Sequence, residues 1–230
     1  MGLNGSPDIF QDIINDIMGD LPNARAYLDD ILITTAGSYE DHLTHVELVL
    51  QRLSDVGFAV NLRKSSFAVT EIDYLGYWIT RRGIQPQPKK VEAIMRLTPP
   101  TTKRQLRRFL GMVNYYRDVW KRRSHVLAPL ATLAGRSAKK YIWTEEHQKA
   151  FENAKNMISR EAMLAYPDFS KEFHVYADAS DYQLGGVIMQ DNKPLAFYTR
   201  KLNAAQSKYP TGEQELLSIV ETLKNFEGIL

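Results

Sequence analysis

Between Pro88 and Ala134 the apolar residues recur only at helical spacing, whereas the residues on both sides of that stretch alternate as strands do. This switch most constrains the fold: a chain patterned this way builds an α+β protein in parts, with a helical middle between two mixed flanks. Pro86 and Pro88 open the helical stretch and Gly135–Lys140 reads as the linker that closes it. Helices are predicted over about 88–96, 102–119 and 124–134, with Pro99-Pro100 breaking the first from the second. Upstream, Ser6-Pro7 reads as a helix start with Ser6 as N-cap, and Phe10, Ile13, Ile14, Ile17, Met18 and Leu21 form one face. Two apolar runs follow, Ala24–Leu28 and Ile31–Thr35, and read as a hairpin turning on Asp29-Asp30. A helix is expected from Glu40 to Asp55, closed by Gly57. Strands are expected near Phe67–Thr70 and Tyr74–Thr80, separated by Glu71–Asp73 and followed by an Arg82-Gly83 turn. Downstream come a helix over Glu145–Ser159, strands over Phe173–Asp178, Leu184–Gln190 and Leu195–Arg200, and a last helix that Thr211 opens as a capping box with Gln214.

Charge follows the same division. The formal net charge is only +2, yet Pro86–Lys140 carries 14 Lys/Arg against Glu92 and Asp118, a local charge of +12, and the rest of the chain carries −10. Within the middle helix Leu106, Phe109, Leu110, Val113 and Tyr116 share one face, while Lys103, Arg104, Arg107 and Arg108 lie on the other. A basic helix between acidic flanks suits a nucleic-acid grip beside metal-binding carboxylates; a solvated helical surface has the same pattern, and charge alone does not separate the two. There is no cysteine, which removes disulfides and thiolate metal sites. No run reaches the roughly 18 apolar residues of a membrane span, and no signal peptide is apparent.

The sharpest chemical signal is Tyr27-Leu28-Asp29-Asp30 between apolar strands. Adjacent carboxylates on a hairpin repel each other and gain nothing from packing, and a divalent cation removes that repulsion; Mg²⁺ prefers hard oxygen ligands of this kind. Surface turns with two Asp residues also occur without a metal. Asp178 ends a strand in which Phe173, Val175 and Ala177 alternate inward. On the last helix Glu213 and Glu215 lie on opposite borders of the apolar stripe, so periodicity does not choose between them. His125, His147 and His174 are unclustered and read as surface or hydrogen-bonded histidines.

Several segments carry a family resemblance. GLNGSPDIFQDIINDI and AYLDDILITT resemble the palm helix and active-site hairpin of reverse transcriptases from gypsy-type long-terminal-repeat retrotransposons, YLGYWIT resembles their primer-grip hairpin, and LRRFLGMVNYYRD their thumb helix. WTEEHQKAFENAK, FHVYADASDYQLGGVIMQ, AFYTRKLNAAQSKY and TGEQELLSIVETLKNF resemble the RNase H part of the same Pol polyprotein. The resemblance covers nearly the whole chain, in the family's order and spacing.

The resemblance implies a partial palm (residues 1–85), a helical thumb (86–134), and a connecting helix with the first part of an RNase H-like mixed sheet (135–230). It also implies a chain cut at both ends, since Met1-Gly2 coincides with the end of a short family motif. The implied activity is RNA-directed DNA polymerisation with ribonuclease H, both by two-metal chemistry with Mg²⁺, or Mn²⁺ in its place. Asp29 is implied as the principal palm ligand and Asp30 as the weaker one; Asp178 and Glu215 are implied as the ribonuclease carboxylates, the resemblance selecting Glu215 over Glu213. Tyr27 would pack near the primer terminus, with a half-buried strand aromatic as the alternative reading, and the Tyr77-Trp78 strand would press on the primer's 3′ end, with Trp78 as a plain core residue as the alternative. Lys103, Arg104, Arg107 and Arg108 would track phosphates. The implied partners are a template–primer duplex, dNTPs and the rest of the polyprotein, without membrane association, in a cytoplasmic virus-like particle or the nucleus. The rival reading is a catalytically dead or domesticated fragment that only binds nucleic acid.

Overall fold

The computed structural model describes residues 5–120, 123–135, 140–160 and 163–230. The Met1-Gly2 motif end and most of the Gly135–Lys140 linker lie outside the described residues. The architecture is α+β, and the chain packs as two compact units, Met1–Tyr74 and Leu75–Leu230.

In the first unit, helix α1 (Ser6–Met18) leads into an antiparallel hairpin of β1 (Ala24–Tyr27) and β2 (Asp30–Ile33). Helix α2 (Tyr39–Asp55) then starts on Ser38, whose hydroxyl accepts from the Asp41 amide at 3.1 Å. It stops at Gly57, which takes the left-handed φ of +79° that a C-terminal helix turn needs. Ile14, Met18, Leu21, Ala24, Val49 and Leu53 form the core, with Phe10 edge-on to Phe58 at 5.7 Å. Arg52 closes it from outside by a two-pronged ion pair with Asp20 and a bond to the Ile17 carbonyl at 3.0 Å. Strand β3 (Ile72–Tyr74) ends the unit.

Three expectations change here. Gly5, not Ser6, is the N-cap of α1, and no side chain caps it; Ser6 already has helical geometry. The two-residue hairpin turn is Leu28-Asp29, because Tyr27 pairs directly with Asp30 and Asp30 opens β2. Phe67–Thr70 forms no strand: Phe67 and Val69 stay 44% and 52% exposed, and β structure resumes only at Ile72. A β-branched, aromatic run does not make a strand without a partner to take its backbone hydrogen bonds.

The second unit begins with the left-handed residues Leu75 (φ +48°) and Gly76 (φ +74°), followed by an antiparallel hairpin of β4 (Tyr77–Thr80) and β5 (Gly83–Pro86). Gly83 is required there: Ile84 and Leu164 exchange backbone hydrogen bonds at 2.9 Å each, and a Cβ on Gly83 would lie 2.1 Å from the Leu164 carbonyl oxygen. Helices α3 (Pro88–Met95), α4 (Lys103–Tyr115), α5 (Arg123–Ala134) and α6 (Glu145–Ser159) follow, with a 3-10 turn at Arg117–Val119. Thr102 caps α4 by accepting from the Gln105 amide at 3.2 Å, and the His147 ring accepts from the Thr144 amide at 3.1 Å at the start of α6. The apolar face read from the sequence of α4 is the buried one. Leu106, Phe109, Val113 and Tyr116 join Leu127, Leu130, Phe151, Ala154 and Ile158 in one core, so α4, α5 and α6 share their interior. Lys155 is buried at their edge, where its ammonium donates to the Leu97 carbonyl at 3.0 Å beyond the end of α3.

The chain then forms a meander of β6 (His174–Ala179), β7 (Gln183–Gln190) and β8 (Lys193–Lys201), with Asp191 and Asn192 both left-handed in the tight turn. Helix α7 (Thr211–Asn225) packs on it, but not as an ordinary amphipathic helix. Its buried residues are Gln214, Ser218 and Thr222, whereas Leu216, Ile219, Val220 and Leu223 are 62%, 44%, 38% and 42% exposed. The expected capping box is absent: Pro210 is the N-cap, and Gln214 reaches the Gln206 carbonyl at 3.3 Å instead. Among the described residues no helix is long and apolar enough to cross a membrane.

Phe109 is 1% exposed and its ring lies 4.6 Å from that of Phe151. Phe109→Ala should therefore cost about 3–5 kcal/mol of stability. Leu216→Ala, at an exposed site, should stay within about 0.5 kcal/mol. Urea unfolding of the three proteins checks both; equal losses would show that the shared helical core is misplaced.

Candidate active sites and nucleic-acid interface

The β1–β2 hairpin is held from below by α1. The Gln11 side chain accepts from the Leu28 amide at 2.7 Å and donates to the Ala26 carbonyl at 3.1 Å. This brace keeps Leu28 at φ +50°, a conformation a leucine rarely adopts, and so places Asp29 at the tip of the turn. Asp29, Asp30 and Tyr27 are all exposed. Among the described residues neither carboxylate has a hydrogen-bonding or ionic partner for its side chain. The Tyr74 hydroxyl reaches the Asp30 carbonyl at 3.5 Å, and burial, then the charge of Asp30, pushes that phenol above its ordinary pKa. Gln11 was not singled out from sequence; its position on α1 gave no sign of the turn it would meet.

The second pair lies on β6 and α7. Asp178 is exposed near the end of β6, opposite Gly185 of β7. Glu215 is half-buried at the edge of the sheet-facing side of α7, while Glu213 is exposed. Two features seat the helix there. The Ser218 hydroxyl lies 2.9 Å from the Asp178 carbonyl and 3.0 Å from that of Gly185. At Gly186 a Cβ would lie 2.3 Å from the Thr222 hydroxyl, so only glycine lets the helix come this close.

Both pairs offer the hard oxygen donors that suit a divalent cation, and among the described residues no Lys or Arg pairs with them. Their number is short of a closed site: among the described residues no three His, Asp or Glu side chains group so as to hold a metal ion. The histidines serve local structure where the contacts are described: His42 bonds Thr35 at 2.9 Å, His45 bonds Asn23 at 2.7 Å, and His147 caps α6.

Tyr77 and Trp78 are half-buried in β4. Tyr77 belongs to a cluster with Tyr115 and Tyr116, at 5.8 and 5.4 Å between ring centroids. Their hydroxyls donate to backbone carbonyls: Tyr77 to Tyr115 at 3.1 Å, Tyr116 to Gly76 at 3.1 Å, and Tyr115 to Leu75. Burial, then the charge of Asp118, holds the Tyr77 phenol far above its ordinary pKa, so it stays a donor.

The four basic residues of α4 separate into two pairs. Lys103 donates to the Gly135 carbonyl at 3.4 Å and Arg107 to the Ala134 carbonyl at 3.0 Å, so both cap the C-terminal end of α5, where cations are favoured. Arg104 and Arg108 are exposed and have no such partner among the described residues. One helical stripe carries Arg104, Arg108, Gly111 and Tyr115, and a Cβ on Gly111 would meet nothing within 4 Å. An exposed glycine inside a helix costs about 0.5–1 kcal/mol, and no packing among the described residues accounts for it.

Comparison with known proteins agrees with this layout. Residues 1–79 match the family described as reverse transcriptase (RNA-dependent DNA polymerase), and residues 143–230 match the RNase H-like domain found in reverse transcriptase. The chain is 36% identical over 245 residues to the retrovirus-related Pol polyprotein from transposon opus of Drosophila melanogaster, covering 100% of this chain and 24% of that protein. The corresponding figures for the Transposon Tf2-3 polyprotein of Schizosaccharomyces pombe are 32% over 236 residues, 100% and 18%. The chain thus spans about a quarter or less of the length of these curated relatives. Among solved structures, the foamy viral protease-reverse transcriptase in complex with RNA/DNA hybrid superposes with a TM-score of 0.86 at 25% identity, covering 100% of this chain and 32% of that one. The same protein in complex with dsDNA gives 0.83 at 25% identity, with 100% and 49% covered. With this hairpin, this meander and these matches along its whole length, the chain belongs to the reverse transcriptase and RNase H-like family of retrovirus-related transposon Pol polyproteins.

Proposed function

We propose that the chain supplies part of an RNA-directed DNA polymerase and ribonuclease H, with Asp29 and Asp30 serving polymerisation and Asp178 and Glu215 serving RNA-strand hydrolysis. The observation that carries this reading is the Leu28-Asp29 turn: α1 braces a strained hairpin that presents two exposed carboxylates without a partner among the described residues. Asp29 and Asp30 would hold Mg²⁺, or Mn²⁺ in its place, with Asp29 the principal ligand; Asp178 and Glu215 would do so at the second site. Bound there, the cations supply charge neutralisation on the attacking and leaving oxygens of a phosphodiester. The chain's own residues orient the nucleic acid. Tyr27 lies beside the carboxylates, Tyr77 and Trp78 form the primer-side hairpin, and Arg104 and Arg108 meet phosphates, with Gly111 letting the backbone of the duplex approach α4. Lys103 and Arg107 contribute by fixing α4 to α5.

The functional modules would be the palm over 1–85, the thumb over 86–134, and the connecting helix with the RNase H-like part over 135–230. The partners are a template–primer duplex and dNTPs, alongside the remainder of a polyprotein, inside a cytoplasmic virus-like particle or the nucleus. A second reading, nucleic-acid binding without chemistry, is favoured by one observation: each site holds only two carboxylates among the described residues.

Primer extension tests whether two carboxylates suffice for synthesis, and metal binding separates the two readings. The chain by itself should bind a template–primer and not extend it, whereas Mg²⁺-dependent synthesis lost in Asp29→Asn would show that the two carboxylates suffice. Binding to the metal tests the site itself: Asp29→Asn should weaken Mn²⁺ binding more than Asp30→Asn, and an unchanged titration in both would remove the metal assignment.

Duplex affinity should fall with salt through counterion release. The double variant Arg104→Gln/Arg108→Gln should lower the slope of log K against log salt by about 2, one for each lost phosphate contact. Lys103→Gln/Arg107→Gln should instead lower the stability of α5, by about 0.5–1.5 kcal/mol for each hydrogen bond. A slope unaffected by the Arg104/Arg108 pair would leave that stripe as solvated surface.

A further inference from the structure

Ser218 is 0% exposed, and its one hydroxyl proton lies between two backbone carbonyls, those of Asp178 and Gly185. These two residues are paired across β6 and β7. A single side chain of α7 therefore meets both strands at one point, and that point is the backbone of Asp178. Glu215 precedes Ser218 by three residues, so the two are neighbours on the helix surface. Two other polar side chains of α7 bond elsewhere: Gln214 to the Gln206 carbonyl at 3.3 Å, and Glu221 to Tyr198 and Arg200 of β8 at 3.4 Å each. Among the described residues no other side chain of α7 hydrogen-bonds to β6. Thr222, without a partner for its hydroxyl, lies over Gly186 and sets how close the helix comes rather than where it stands along the strands.

Contacts of shape alone let a helix roll or slide on a sheet; a directional hydrogen bond in a buried place does not. We propose that Ser218 is a positioning residue: its hydroxyl sets α7 in register with β6 so that the carboxylates of Asp178 and Glu215 face one cation. This rests on the reading of those two residues as the ribonuclease pair.

The chain contains no cysteine, so introduced thiols are unique. Asp178→Cys/Glu215→Cys, spin-labelled at both sites, reports their separation through dipolar broadening of the electron paramagnetic resonance spectrum. The expected result is one narrow distance distribution with Ser218 in place, a broader one in Ser218→Ala, and recovery in Ser218→Thr, which keeps the hydroxyl. If Ser218→Ala does not fold, Ser218→Thr against Ser218→Val makes the same comparison between side chains of one shape. Identical distributions with and without the hydroxyl would overturn the proposal. With both carboxylates intact, Ser218→Ala should raise the Mn²⁺ dissociation constant about threefold or more at a temperature where the variant is fully folded, and Ser218→Thr should restore it. Should Asp178→Asn and Glu215→Gln leave Mn²⁺ binding unchanged, the metal reading fails, and the label separation still decides whether Ser218 sets the helix.

Discussion

The contact of Phe109 with Phe151 is the one on which most of the second unit depends. It joins α4 to α6 and, with Leu106, Val113, Leu127 and Leu130, decides which face of α4 is inside. Once that face is committed, the basic residues have no choice but to be outside or at the rim, since a buried unpaired cation is too costly to keep. The same packing brings the end of α5 beside the first turns of α4. Lys103 and Arg107 are therefore drawn to free carbonyls of their own chain, and Arg104 and Arg108 are left for something else. A uniform run of positive charge in sequence is divided into two pairs by the arrangement of one helix pair.

The two carboxylate pairs are built by the same device in each unit. In both, a polar side chain on a helix bonds the backbone beside an acidic residue of a strand or turn: Gln11 around Leu28, and Ser218 at Asp178. The acidic side chains themselves stay out of these bonds. Bracing the backbone and leaving the carboxylate free gives a charge that is fixed in place without being neutralised, as a ligand for a hard cation must be.

What could be read from the sequence depended on how local the cause was. The ends of α6 follow from residues next to each other, as do α4's start at Thr102 and α2's close at Gly57, and all were legible. So was the buried face of α4, because strong amphipathicity leaves one solution. The errors lie where a distant partner decides. Phe67–Thr70 has strand composition but no strand to join, and the hairpin turn moved by one residue because Tyr27 pairs with Asp30. Thr211 and Gln214 match a capping pattern, yet Gln214 was taken by the Gln206 carbonyl. Neither Gln11 nor Ser218 could be singled out, since each derives its role from a backbone atom that only the tertiary fold brings near.

Helix α7 turns its polar stripe to the sheet and Leu216, Ile219 and Leu223 outward, and this has a colloidal consequence. The chain has a net charge of only +2, so little overall repulsion keeps two copies apart. Added salt would weaken the proposed contacts of Arg104 and Arg108 with phosphates but would not weaken the attraction of Leu216, Ile219 and Leu223 for another oily surface. Ionic strength thus divides this surface into a charged part, whose attractions salt screens, and an oily part, whose attractions it leaves.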